Sequence, residues 1–186
     1  MRLFVALDLD AGAREAIAAL QRRVAQALGP DRSLKRVDPA HMHVTLAFLG
    51  EIADARVPSL VDELSVDIDT SPFSAELRGL GVFPPHGAPR ILWLGVGEGA
   101  DEIAEVQQEV ANRLERLDVL LEQRPFHPHL TLARWRTSRP ADRERALSAD
   151  HDTVVARVNV HHVTLYESRL SPAGPSYTVL ARATLT

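Results

Sequence analysis

The chain of 186 residues predicts an α+β fold with two pseudo-symmetric lobes, whose mostly antiparallel sheets are flanked by helices. Strand-like and helix-like segments are interspersed, but several strands follow one another directly, which favours antiparallel pairing over a doubly wound parallel sheet. The pattern His-x-Thr-Leu-Ala occurs at residues 43–47 and again at 129–133, nearly half a chain later, which indicates a duplicated half. No low-complexity linker divides the chain, so we expect residues 1–186 to form one domain.

Local patterns predict a strand, a helix, two strands and a second helix in the first half, at residues 3–9, 13–28, 34–37, 44–49 and 54–64. Ile17, Leu20 and Val24 predict the first helix, because they recur at helical spacing. Gly29 and Pro30 follow directly and end it.

In the second half we predict strands at residues 73–82, 91–96, 130–135, 154–166 and 177–185, and helices at residues 100–117 and 141–147. Ile103, Val106 and Val110 give the longer helix one apolar side. Turns are predicted at residues 84–87 and 171–175, where proline and glycine cluster.

Composition excludes several classes of protein. The chain has no cysteine, which rules out disulfides, a thiolate nucleophile and Cys-ligated metal sites. With 21 basic and 25 acidic residues the net charge is −4, which argues against a protein that coats long nucleic acids but permits recognition of one phosphate or a strand end. The chain has no apolar run of membrane-spanning length, and Asp8 interrupts the position of a signal-peptide core, so we expect a soluble, cytoplasmic protein.

The duplicated motif carries the chemistry. Side chains two apart in a strand share a face, so His43 and Thr45 point the same way, as do His129 and Thr131. Two such strands side by side would bring two imidazoles and two hydroxyls into one cleft. One imidazole can then take a proton from water while the other protonates a leaving oxygen, and the hydroxyls can donate hydrogen bonds to phosphate oxygens.

The residues that flank the two motifs support their interpretation as an acid–base site. The first motif lies in HVTLAFLG (residues 43–50) and the second in PHLTLAR (residues 128–134). Together with the segments at residues 2–7, 89–96 and 165–177, they make the chain resemble the two-histidine (2H) phosphoesterase superfamily. More closely, it resembles the bacterial and archaeal RNA 2′,3′-cyclic phosphodiesterases, historically called 2′-5′ RNA ligases.

The resemblance implies a two-lobed fold with an active-site cleft between the lobes, and metal-independent hydrolysis of an RNA-terminal 2′,3′-cyclic phosphate to a 2′-phosphate. His43 would be the proton donor and His129 the proton acceptor, an assignment that comes from the family alone. Thr45, Thr131 and Arg134 would bind the phosphate. The partners would be RNA ends or nucleotides bearing a cyclic phosphate, with no cofactor, no metal and no membrane, and we expect a monomer.

Several alternatives remain at this point. Phe48 could stack on the terminal base, or pack in the core with Val44 and Leu46. The pairs His41/His43 and His127/His129 suggest a zinc site, although no carboxylate accompanies them. The same residues could join RNA ends through a 2′-5′ linkage or cleave 2′-5′ oligonucleotides, and a protein of another class would bind RNA ends without catalysis.

Overall fold

The computed structural model describes residues 1–30, 33–121, 125–172 and 174–186, which form four α-helices and nine strands. The first half contains β1 (Arg2–Leu7), α1 (Ala11–Leu28), β2 (Leu34–Arg36), β3 (Val44–Glu51) and α2 (Val57–Glu63). The rest contains β4 (Phe73–Phe83), β5 (Ile91–Val96), α3 (Ala100–Arg116), β6 (His129–Trp135), α4 (Pro140–Leu147), β7 (Val154–Val160), β8 (His162–Ser171) and β9 (Gly174–Thr184).

The strands form one continuous sheet in the order β7-β4-β5-β6-β3-β1-β8-β9, and β2 pairs with β6. The pairs between these strands are antiparallel, as the succession of strands predicted. One lobe contains β3, β1, β8 and β9, and the other contains β6, β5, β4 and β7. The lobes meet where β3 pairs with β6, with Val44 opposite Leu130. The two motif strands are therefore the central neighbours of the sheet.

One predicted strand is wrong. Residues 154–166 form two strands, β7 and β8, which are interrupted at His161 and belong to different lobes. β7 pairs with β4, whereas β8 pairs with β1 near the other end of the sheet. The apolar alternation continues through the crossing point, so local pattern contained no sign of a change of partner. Ala173, expected in the turn between the last two strands, lies outside the described residues.

The helices connect the lobes through a shared apolar core. The Asp10 side chain caps α1 by accepting a hydrogen bond from the backbone N–H of Ala13. Although α1 follows a strand of the first lobe, it packs against β7 and α4 of the second, while α3 packs against β3. Within the described ranges, no helix combines the length and apolar character needed to cross a membrane.

Candidate active site

The motif residues come together at the junction of the lobes. Because Val44 lies opposite Leu130 in an antiparallel pair, the register sets His43 beside Thr131 and Thr45 beside His129. All four side chains are partly exposed, whereas Val44 and Leu130 between them are buried. The structure therefore brings both predicted His-Thr pairs to one face of the sheet.

The two imidazoles are held in the same way. Nδ1 of His43 lies 2.9 Å from the carbonyl oxygen of His41, and Nδ1 of His129 lies 2.7 Å from that of His127. A carbonyl oxygen can only accept, so each Nδ1 donates and each Nε2 is left to exchange protons. The turn Pro39–His41 and the residue Pro128 precede the two strands and present these carbonyls.

Burial lowers the pKa of both histidines, but their charged neighbours differ. At His43, burial is partly offset by the bond to His41 and by the charge of Asp8, which raise the pKa, while His41 lowers it. At His129, burial is partly offset by the bond to His127, while the charges of His127 and Arg134 lower the pKa further. The carboxylate therefore favours a proton on His43, and the guanidinium disfavours one on His129.

Aromatic rings surround each imidazole. The ring of His43 lies 4.8 Å from Phe4 and 5.5 Å from Tyr177. The ring of His129 lies 5.3 Å from Phe83 and 6.0 Å from Trp93. These rings bury the imidazoles and restrict their rotation, which is the physical origin of the lowered pKa values.

Arg134 reaches the same face because of a bulge in β6. Trp93 pairs with Thr131 and Leu92 with Ala133, so Leu132 is an extra residue without a partner on β5. Beyond this extra residue, Arg134 pairs with Ile91. Ile91 and Trp93 are two apart in β5 and so lie on the same face of the sheet. Their partners, Arg134 and Thr131, therefore also share that face. Burial raises the pKa of Tyr177 in the other lobe, and the charge of Arg134 opposes that rise, so the guanidinium lies near both lobes.

Phe48 is the counterpart of Arg134 in β3. There Leu46 is the extra residue, because Ala6 pairs with Thr45 and Val5 with Ala47. Phe48 then pairs with Phe4 on the face of Thr45, and its side chain is 59% exposed. The interpretation of Phe48 as a core residue is therefore wrong: strict alternation predicts it, but the bulge reverses the alternation.

Asp8 forms a partly buried network that sequence patterns did not single out. Its carboxylate accepts hydrogen bonds from Tyr166, from Thr164 (2.8 Å) and from His162 (3.0 Å). Burial raises the pKa of Asp8, but these bonds outweigh it and hold the pKa below its ordinary value. The donors alternate along β8, which pairs with β1, so all three lie on one face of the sheet. They are more than a hundred residues from Asp8 in the sequence, so no local motif signals the contact.

A lysine beside Arg134 and the two His-x-His pairs complete the site. Lys35 lies opposite Arg134 on β2, which places a second cation at this edge of the site. In the His-x-His pairs, the downstream Nδ1 is occupied by the upstream backbone carbonyl. Within the described ranges, no three His, Cys, Asp or Glu side chains are grouped as a metal ion would require.

Known proteins resemble this chain over most of its length. Residues 43–171 match the model of the 2′-5′ RNA ligase superfamily. A protein of Archaeoglobus fulgidus named RNA 2′,3′-cyclic phosphodiesterase is 32% identical over 95% of this chain and 96% of its own. A protein of the same name from Aeropyrum pernix is 38% identical over 79% of this chain and 84% of its own.

Solved structures agree with these matches. A Thermus thermophilus structure superposes with a TM-score of 0.82 at 30% identity, covering 99% of this chain and 97% of that one. Escherichia coli LigT in complex with 3′-AMP superposes with a TM-score of 0.76 at 27% identity, covering 100% and 97%. The two-lobed α+β architecture is thus shared along the whole chain.

Proposed function

Because the chain belongs to the 2′-5′ RNA ligase superfamily, we propose that it hydrolyses RNA-terminal 2′,3′-cyclic phosphates to 2′-phosphates by acid–base catalysis with two histidines. The observation that carries the proposal is the paired geometry of the site. Two imidazoles at the lobe junction each donate Nδ1–H to a backbone carbonyl, so two Nε2 atoms are available for proton exchange. We further propose that the enzyme acts in the cytoplasm.

The reaction needs one proton taken and one given. Neutral His129 removes a proton from water, and the oxygen of that water attacks phosphorus. The bond between phosphorus and O3′ breaks, and protonated His43 gives its proton to O3′. The products are a 3′-hydroxyl and a 2′-phosphate, and each proton transfer is worth about 10²- to 10⁴-fold in rate. The charges of Asp8 beside His43 and Arg134 beside His129 support this division of roles.

The other site residues bind the substrate in this proposal. Among the described residues, no partner accepts a hydrogen bond from the hydroxyl of Thr45 or Thr131, which leaves both free to donate to phosphate oxygens. Arg134 binds the same phosphate through its planar fork of donors. Phe48 offers an exposed ring on which the terminal base stacks.

The test is hydrolysis of a nucleoside 2′,3′-cyclic phosphate in the presence of EDTA, with the product identified by NMR. We expect a 2′-phosphate, and we expect His43→Ala and His129→Ala each to lower kcat by about 10²-fold or more. His86→Ala is the matched control, because His86 is exposed in the turn after β4. Activity that EDTA abolishes and zinc restores, or full activity in either motif variant, would contradict the mechanism.

Joining of RNA ends is the second candidate, because the matched family is described by a ligase activity. In that reaction a 5′-hydroxyl takes the place of water as the nucleophile that attacks phosphorus, and the bond between phosphorus and O3′ breaks as in hydrolysis. Water is in large excess in dilute solution, so we expect hydrolysis to dominate there. Adding an RNA with a 5′-hydroxyl to the assay and separating the products by length measures the balance directly.

A further inference from the structure

A cavity of about 390 Å³ opens beside His43 and extends away from the lobe junction. Its lining residues include His43, Tyr166, Tyr177, Ser176 and Arg14. Its volume lies within the range of about 300–1,000 Å³ that small-molecule sites occupy. His43 is one of the lining residues, so a molecule held at the junction can extend into the cavity.

The corresponding space in the other lobe is filled. Ala6 lies opposite Thr45, whereas Trp93 lies opposite Thr131 at the equivalent position. The Trp93 ring lies against the backbone of Gly81, where an added Cβ would come within 2.0 Å of it. Since a phosphate at the junction contacts both lobes, the bulk of the substrate extends toward His43, while the attacking water needs little space beside His129.

Arg14 is the cavity's available charged group. The Asp8 carboxylate also lines the cavity, but both of its oxygens already accept hydrogen bonds, from Tyr166, Thr164 and His162. The Arg14 side chain has no hydrogen-bond partner among the described residues, and its Nε atom is buried. A guanidinium that lines a cavity without an acceptor of its own favours an anionic ligand, and arginine can bind phosphate through two parallel bonds.

We propose that this cavity takes the 5′ side of the terminal nucleotide, whose base stacks on Phe48 outside it, and that Arg14 binds the phosphate on the 5′ oxygen. The inference rests on the proposed function, in which the 2′,3′-cyclic phosphate lies between the two His-Thr pairs. In an RNA chain the 5′ phosphate is the link to the preceding nucleotide. Arg14 would therefore distinguish the end of an RNA strand from a nucleoside cyclic phosphate that lacks a 5′ phosphate.

The test compares ligands that differ only at the 5′ position. We expect cytidine 2′,5′-bisphosphate to bind wild-type protein about tenfold more tightly than cytidine 2′-phosphate, measured by calorimetry, because one charge-assisted contact is worth that factor. In Arg14→Gln this ratio should fall toward one, and in Arg14→Lys it should be intermediate, because lysine keeps the charge but not the fork. The same ratio is expected in kcat/KM for the corresponding cyclic phosphates.

Arg22→Gln is the matched control, because Arg22 is an exposed arginine farther along α1, and it should retain the wild-type ratio. Equal affinities for the two ligands in wild-type protein, or a ratio that survives in Arg14→Gln, would overturn the proposal. Circular dichroism of each variant shows whether it is folded. The binding ratio does not require turnover, so a protein that binds with this preference but hydrolyses neither cyclic phosphate would contradict the proposed function and leave the Arg14 subsite standing.

Discussion

Asp8 gives His43 an electrostatic environment that His129 does not share. The pairing of Leu7 with Val44 places Asp8 at the end of β1 beside His43. Its carboxylate stays ionised, because hydrogen bonds from β8 hold its pKa low. At the equivalent position in the register, the second lobe has Gly95, which pairs with His129 and has no charge. Two copies of one motif can therefore perform opposite proton transfers.

The pH dependence of activity tests this difference. Both histidines have a pKa below the ordinary 6.5, so we expect a bell-shaped kcat/KM profile with its maximum on the acid side of that value. In the proposed mechanism, deprotonation of His43 sets the alkaline limb. Asp8→Asn removes a charge that raises the pKa of His43, so the alkaline limb should move to lower pH while the acid limb, set by His129, stays.

Asp69→Asn is the control for this experiment, because Asp69 is exposed and outside the cavity. It should leave both limbs in place. Movement of the acid limb in Asp8→Asn would mean that His43 is the base, and an unchanged profile would mean that Asp8 has no electrostatic role.

At this scale the sequence predicts the residues that repeat and misses those that do not. His43 and His129 stand out because their motif occurs twice, and two copies are much less probable by chance than one. Asp8, Tyr166 and Tyr177 belong to no repeated motif, and they reach the site only through pairing of β1, β8 and β9. Their positions depend on long-range strand order, which local patterns do not encode.

The bulges in β3 and β6 are the elements that position the long side chains of the site. Each bulge falls at the leucine of the motif, Leu46 or Leu132, and each turns the second residue after it, Phe48 or Arg134, onto the face of the threonine. The strands themselves were predicted nearly to their ends. The bulges were not predicted, because an extra residue can be recognised only when a strand is compared with its partner.

Gln21 stabilises the bulge in β6. It is a buried residue of α1, and its side-chain Nε2 donates to the carbonyl oxygens of Leu132 and Val37, each at 2.9 Å. Gln21→Met keeps the length of the side chain but removes the donors. We expect a loss of about 1–3 kcal/mol in the free energy of unfolding, measured in urea. We also expect weaker binding of cytidine 2′-phosphate, because Arg134 loses its fixed position.

The matched substitution is Gln26→Met, since Gln26 is exposed on the same helix. It should change neither stability nor binding. If Gln21→Met is destabilised but binds as tightly as wild-type protein, the glutamine supports the fold without positioning Arg134.

At the scale of the whole molecule, the two lobes share a sheet, a core and their helices. The contact between Val44 and Leu130 joins the lobes, and α1 crosses from one lobe to pack on β7 and α4 of the other. The sequence predicted two similar lobes from the repeated motif. It did not predict the crossing of α1, because an amphipathic helix shows which face is buried but not which sheet buries it.

These shared elements predict that the lobes unfold together. Both tryptophans, Trp93 and Trp135, are in the second lobe, and both tyrosines, Tyr166 and Tyr177, are in the first. Tryptophan fluorescence and the tyrosine bands of the second-derivative near-ultraviolet absorbance therefore report on different lobes of the same molecule. In a urea titration we expect the two signals to change with the same midpoint and slope, because neither sheet half keeps its core without the helix supplied by the other.

Val158→Ala places a destabilising change in the second lobe, because Val158 is buried in β7, at the opposite end of the sheet from both tyrosines. Loss of two methyl groups from a core should lower the midpoint of unfolding. In one cooperative domain the tyrosine signal shifts by the same amount as the tryptophan signal, although no tyrosine lies in the lobe that was changed. A shift confined to the tryptophan signal would show two independently folding lobes, and the site at their junction would then depend on docking instead of on a continuous sheet.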